Sequence, residues 1–355
     1  MPAEAPLFFR GAGALLYGAR QLRDGSRDEI IAPTFHCGVE IEALLQAGAR
    51  VRFAPLNEGL GFDQDRVRAI VTPRTRGILA IHYFGFPQHL QWLRDFCDEF
   101  GLALIEDCAH ALFSRDDDSW LGTRGDMAIF SFQKSLPVPD GGALVWRTGP
   151  IHAALERPPA LTTARSLALL CLASWRTQKQ GIVAASAQTV ARGIGKLGSR
   201  MLKALIPDRR VYSPSTTQLD PAVDGLAISP SARAILTHVE PETIVQSRRR
   251  NFAILVEELA SAPGVVIPFK DLPTGTCPLF LPLLVRQRNL VRARLSEASV
   301  ECFVFGESPH DNLGSDQCAV ASRWSRENLC LPVHQDLTDS MIEYMVRAVR
   351  SSLRA

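Results

Sequence analysis

Between residues 12 and 147 short apolar runs alternate with amphipathic stretches, and no other feature restricts the possible folds of this chain so strongly. Parallel strands need long crossovers rather than tight hairpins, so a repeating strand and helix rhythm predicts a mostly parallel sheet flanked by helices. The expected strands are 29–32, 51–54, 77–81, 102–106, 127–132 and 143–146. Several are apolar throughout, as suits strands covered on both faces. Helices are expected at 12–23, 39–47, 63–71 and 90–100, where apolar positions recur at helical spacing.

After residue 148 the rhythm breaks, and from about 245 a second set of elements follows: a helix over 245–261, strands near Val265 and at 279–284, a helix from Asn289, a strand near Val300 and a closing helix from Thr338. The expected architecture is α/β: a large domain over 1–240 and a smaller α+β domain over 241–355. The large domain includes a basic helical segment at 151–207.

Composition removes several classes of function. The net charge of +2 over 355 residues gives no global reason to bind nucleic acid. Eight cysteines are scattered without a C-x-x-C pair, so neither a zinc ribbon nor a disulfide scaffold is indicated, and the eight histidines form no metal set. The N-terminus lacks the basic and apolar regions of a secretory signal, and the stretch 167–175 is too short to span a bilayer; a cytoplasmic protein is expected.

Three segments carry chemistry. In GLALIEDCAHA (101–111) an apolar strand delivers Glu106 and Asp107, then His110. Ligands of open α/β sheets bind beyond the carboxyl ends of strands, although a carboxylate there also caps helices. In MAIFSFQKSLPVPDGGALVW (127–146) a strand leads to a polar turn bearing Lys134 and on to a Gly-Gly pair; alone, such a lysine reads as a surface charge. In FFRGAGALLYGARQL (8–22) a glycine turn runs into a helix whose first N–H groups suit an anion, while Gly-x-Gly also occurs there for steric reasons.

In this order, and with DEIIAPTFHCG (28–38), VTPRTRGILAIHYFG (71–85), LGTRGDMAIFSF (121–132), RRRNFAILVEEL (248–259) and ENLCLPVHQDLTDSMIEYM (327–345), these segments resemble the DegT/StrS-type sugar aminotransferases. The resemblance implies pyridoxal 5'-phosphate as cofactor, with Lys134 as its Schiff-base lysine and Asp107 as partner of the pyridine nitrogen. It places His110 near the ring oxygen, Ser131 at the phosphate, Ala12 and Gly13 in the turn completing the phosphate site, and Cys37 where the family has a ring stacked on the cofactor. It further implies glutamate as amino donor, a nucleotide-linked keto sugar as acceptor and a homodimer, in polysaccharide or secondary-metabolite synthesis.

The chain departs from the family pattern in four places. It is two residues shorter between Phe132 and Lys134, Cys37 with His36 replaces the aromatic ring, GLAISPSARAIL (225–236) lacks the Asn-x-Arg segment, and ten residues precede the glycine turn. Two alternatives accompany the leading reading: a non-catalytic scaffold or regulator, favoured by the departures, and a cofactor-dependent sugar dehydratase, opposed by Lys134. His82 reads equally as a pocket residue or a hydrogen-bonded structural histidine.

Residues 157–207 hold eight basic side chains and no acidic one. As a helix, 182–205 would set Arg192, Lys196, Arg200 and Lys203 opposite Ile194, Leu197, Met201 and Leu205, which suits either packing on the large domain or peripheral contact with an anionic membrane.

Overall fold

A computed structural model describes residues 5–22, 24–149, 151–164, 166–168, 219, 221–308, 310–313 and 318–354. Residues up to Pro158 together with those from Thr217 onward form one compact unit, and Pro159–Thr216 form another. The basic helix expected at 182–205 lies outside the described residues.

The first unit is built on a seven-stranded sheet of order β1-β9-β8-β5-β4-β2-β3. The strands are β1 (Leu7–Phe8), β2 (Glu29–Pro33), β3 (Arg50–Ala54), β4 (Thr75–Ile81), β5 (Ala103–Asp107), β8 (Met127–Ser131) and β9 (Gly142–Trp146). The pairs β2 with β3, β2 with β4, β4 with β5 and β5 with β8 are parallel, and β9 and β1 close one side antiparallel. Leu104, Ile105, Ile78, Leu79 and Ala80 are fully buried, which accounts for the unbroken apolar runs of the central strands.

The flanking helices are α1 (Gly11–Gln21), α2 (Val39–Gln46), α3 (Gln64–Ala69) and α4 (Leu90–Phe100). Their limits have local causes. The Asp63 carboxylate accepts the Arg66 N–H at 3.2 Å and caps α3. α4 buries Leu90, Leu93, Phe96 and Cys97 along one stripe and stops at Gly101, which takes the left-handed conformation (φ 62°). Short elements that the apolar pattern did not signal are β1 and the hairpin of β6 (Arg115–Asp116) with β7 (Ser119–Trp120).

Beyond residue 240 the chain forms the helix Pro241–Leu259 and a three-stranded antiparallel sheet of β10 (Val265–Val266), β11 (Phe280–Val285) and β12 (Asn328–Pro332), with helices Arg288–Glu297, Ala319–Glu327 and Asp339–Leu353. The Thr338 hydroxyl accepts the Met341 N–H at 3.3 Å and caps the last helix. The strand expected near Val300 does not form. Ser299 takes a positive φ of 60° and Val300 N–H bonds back to Leu295 O at 2.7 Å, so this stretch closes the preceding helix. Farther along, an isolated bridge between Phe303 and Cys330 and the Asn328 side chain, which exchanges hydrogen bonds with the Phe305 backbone, join the segment to β12. Among the described residues no helix is long and apolar enough to cross a membrane.

Candidate active site

Asp107 ends β5, in register with Ile81 of β4 and Ile129 of β8, at the carboxyl edge of the parallel strands. Its Oδ1 accepts the Ala109 N–H at 2.8 Å. Burial pushes its carboxyl up to about 6, against the positive charge of Lys134 and with help from Glu40. Successive strand residues face opposite sides of a sheet, so Glu106 points the other way. There it accepts N–H bonds from Gly122 at 2.8 Å and Arg124 at 2.9 Å, a third from Gly125, and one from His82 Nε2 at 3.1 Å. Burial alone would raise its carboxyl, yet the His82 bond and charge and these amides hold it below the ordinary value.

His82 is therefore structural: Gln88 N–H donates to its Nδ1 at 3.1 Å, leaving Nε2 to donate to Glu106. Among the described residues, His82, Glu106 and Cys108 are the one group spaced to hold a metal ion, but the lone pairs of Glu106 and of His82 Nδ1 are committed to protein donors.

His110 is buried under aromatic rings, stacked on Phe84 at 6.1 Å and meeting Phe305 edge-on at 5.1 Å. Burial, then the charge of Lys134, push its imidazolium well below the usual range, so the ring is neutral. Its Nδ1 accepts the Phe84 N–H at 3.4 Å, which assigns the ring proton to Nε2 and makes that atom a donor. Phe84 reaches this position with φ 57°, and the next residue must be glycine: at φ 102°, a Cβ on Gly85 would lie 2.3 Å from Cys277 O. Phe84 also stacks on Trp324 at 5.8 Å, which brings the C-terminal part of the chain over the site.

Lys134 ends a 3-10 turn, Phe132–Lys134, directly after β8, and its side chain is exposed. Its charge acts on Asp107, His110 and Cys37, so residues from three separate loops converge here. The turn is held from outside. Phe132 N–H donates to Gly141 O at 3.0 Å, Gln133 Nε2 to Pro139 O at 2.6 Å, and buried Arg248 gives Nη2 to Ser135 O at 3.1 Å and Nε to Gln335 at 3.0 Å. Burial lowers the guanidinium of Arg248 from its ordinary value.

The start of α1 lies against the end of β8: a Cβ on Gly11 would stand 3.2 Å from Ser131 Cβ. Arg10 precedes the helix in extended conformation and provides no side-chain cap, and the first intrahelical bond is Ala14 N–H to Arg10 O at 3.3 Å. The amides of Gly11, Ala12 and Gly13 thus lack helical acceptors, beside Ser131, as an anion cradle requires. Gly13 has a steric reason as well, since a Cβ there would lie 2.4 Å from Asp224 O.

Cys37 follows β2, half-buried, and faces Glu40 in the first turn of α2. Glu40 and Arg248 are the residues that motif reading passed over. Each leaves a trace in the pattern: Glu40 precedes buried Ala43 and Leu44 on the inner face of α2, and Arg248 falls on the stripe of Ile244, Phe252, Leu255 and Leu259.

Fold and site define an aminotransferase-type α/β enzyme, with a lysine, a carboxylate and a neutral histidine brought together at the carboxyl edge of a mostly parallel sheet. The chain belongs to the DegT/DnrJ/EryC1/StrS aminotransferase family, whose model matches residues 9–163 and 232–350. It is 37% identical over 121 residues to GDP-perosamine synthase of Vibrio cholerae, a match covering 33% of each chain. It is 24% identical over 354 residues to UDP-N-acetyl-3-dehydro-alpha-D-glucosamine 3-aminotransferase of Acidithiobacillus ferrooxidans, covering 97% of this chain and 82% of that one. Among solved structures, the aminotransferase TlmJ from Streptoalloteichus hindustanus superposes with a TM-score of 0.67 at 24% identity, over 99% of this chain and 86% of that one. Helicobacter pylori PseC, an aminotransferase of pseudaminic acid biosynthesis, gives 0.69 at 16%, over the same shares.

Proposed function

We propose that the protein is a pyridoxal-phosphate-dependent aminotransferase that moves an amino group from a donor such as glutamate to a nucleotide-linked keto sugar. The observation that carries this reading is the convergence of Lys134 and Asp107 from the ends of neighbouring strands, with His110 between them in sequence. The residues fit the cofactor. Asp107, a buried carboxylate with a single side-chain bond among the described residues, suits a protonated ring nitrogen. Nε2 of His110 suits a ring oxygen, and the amides of Ala12 and Gly13 with the Ser131 hydroxyl suit a phosphate.

When bound, pyridoxal phosphate supplies an electron-poor ring that stores the electron pair left on a substrate carbon. Lys134 would hold the cofactor through Nζ, give it up to the incoming amine, and then act as the base and acid that moves a proton between the substrate carbon and the cofactor's carbon on the far side of the imine nitrogen. Asp107 keeps the positive charge on the ring nitrogen. Cys37 would lie against the ring, at the position where the family resemblance places an aromatic side chain. The sugar acceptor is supported by the named activities of the relatives, all of which act on nucleotide-linked sugars. A homodimer in the cytoplasm is part of the proposal, tested by sedimentation at micromolar concentration. The activity is tested by following cofactor absorbance on adding glutamate to purified protein: spectral conversion that a keto sugar nucleotide reverses is expected, and an unchanged spectrum would overturn it.

A further inference from the structure

A cysteine beside a lysine that must react with an aldehyde poses a chemical problem. A thiolate adds to an aldehyde carbon: a C–S bond forms, the carbonyl pair moves to oxygen, and the oxygen takes up the proton the thiol has lost. In this site Cys37 is half-buried and near enough to Lys134 to sense its charge. The proposed cofactor would present its aldehyde to a site that holds both nucleophiles.

The structure shows a device against this. The Glu40 carboxylate, 3% exposed, accepts the Cys37 N–H at 3.0 Å through Oε1 and the Cys37 S–H at 2.8 Å through Oε2. Both oxygens are thus turned on one residue, and the carboxylate lies in the first turn of α2, where the helix dipole favours negative charge. Its charge reaches Asp107, Tyr83 and His36 as well as Cys37. We propose that Glu40 is a positioning residue that holds the Cys37 S–H as a hydrogen-bond donor, so that the sulfur keeps its proton and leaves the aldehyde carbon to Lys134. The part concerning the aldehyde rests on the proposed cofactor; the pairing itself does not.

One further observation agrees. Burial, then the charge of Glu40, push the Cys37 thiol well above its ordinary value, with Lys134 opposing. A sulfur kept as a thiol would also pack as a small apolar group against the ring of the proposed cofactor.

The test is alkylation of the native protein by iodoacetamide, with the labelled cysteines located by peptide mapping. At pH 8, Glu40→Gln should label Cys37 at least tenfold faster than wild type, because an amide donates to a thiolate instead of repelling it. Glu40→Asp, which retains the charge, should stay near wild type. Cys97, Cys108 and Cys330 are buried and report unfolding: labelling on them identifies a misfolded variant. In that event the wild type decides alone, since its Cys37 labelling rate should keep rising to pH 9.5, and a plateau below pH 8 would overturn the proposal. Equal rates in folded Glu40→Gln and wild type would overturn it too. In a Lys134→Ala background, pyridoxal phosphate should lose its carbonyl absorbance to Cys37 only when Glu40→Gln is also present. Loss of that absorbance in Lys134→Ala alone contradicts the proposal, whereas absence of any cofactor attachment to Lys134 in wild type contradicts the functional reading and leaves the Glu40 pairing to the alkylation result.

Discussion

Glu106 and Asp107 are adjacent on one strand, both buried, and they do opposite jobs. Glu106 is saturated, with three backbone amides and His82 around it, and is held below the usual carboxylate range. Asp107 accepts one backbone amide and is pushed up to about 6 by burial. On one face of the sheet the carboxylate is consumed in fastening the turn of residues 121–125. On the other it is left with capacity for a positively charged group supplied by a ligand. A buried charge is therefore informative only with its partners counted.

The largest effect that would break this comparison lies at Lys134, the cation of the Asp107 face. Lys134→Ala should lower transamination by ~10⁴-fold or more, the upper end of what acid and base catalysis alone contributes. Its exposed side chain adds little packing, so the change in stability should stay within about 0.5 kcal/mol, as thermal unfolding would show. Turnover close to wild type would remove Lys134 from the mechanism.

The paired substitutions sharpen the contrast directly. Glu106→Gln presents an amide group to backbone donors and should cost about 1–3 kcal/mol for each donor left unpaired, with folded protein remaining active. Asp107→Asn should lose ~10²–10³-fold in the half-reaction with glutamate. Denaturant titrations and single-turnover rates on both variants would show whether stability and activity separate as described.

The sign of the pH effect at Asp107 follows from its raised value. The unfolded chain ionises near 3.8 and the folded one near 6, so the apoprotein loses stability as pH rises between these limits and gains none back above them. A shift of that size corresponds to about 3 kcal/mol at most. Apo Asp107→Asn should accordingly be more stable than wild type at pH 7 and lose that advantage near pH 4. Glu106, with a lowered value, should give the reverse trend, its contribution fading as pH falls.

Smaller effects are expected farther out. Arg248→Met removes the donors that hold the Lys134 turn and should lower kcat more than it raises KM, measured by steady-state kinetics. His310→Ala breaks the 3.1 Å contact with Glu42 and should cost under ~1 kcal/mol.

Much of this was legible before any coordinates. The apolar runs placed β4, β5, β8 and β9 to within a residue or two, because strands buried on both faces leave unbroken runs. Lys134, Asp107 and His110 are singled out by the family resemblance, since by position alone the lysine reads as a surface charge and the carboxylate as a helix cap. What stayed hidden depends on tertiary context. Nothing local says that Glu106 meets the 121–125 turn rather than a ligand, or that Arg248 reaches Ser135 across the chain. The strand expected at Val300 failed because β-branched composition there yielded to the closing turn of a helix.

The claim on which everything else rests is that Lys134 bears the cofactor. The holoprotein would be reduced with sodium borohydride and its peptides mapped by mass. A pyridoxyl-phosphate adduct on the peptide containing Lys134, and bleaching of the visible band, are expected. A bleached band with the adduct on another lysine, or no adduct after incubation with excess pyridoxal phosphate, would contradict the account.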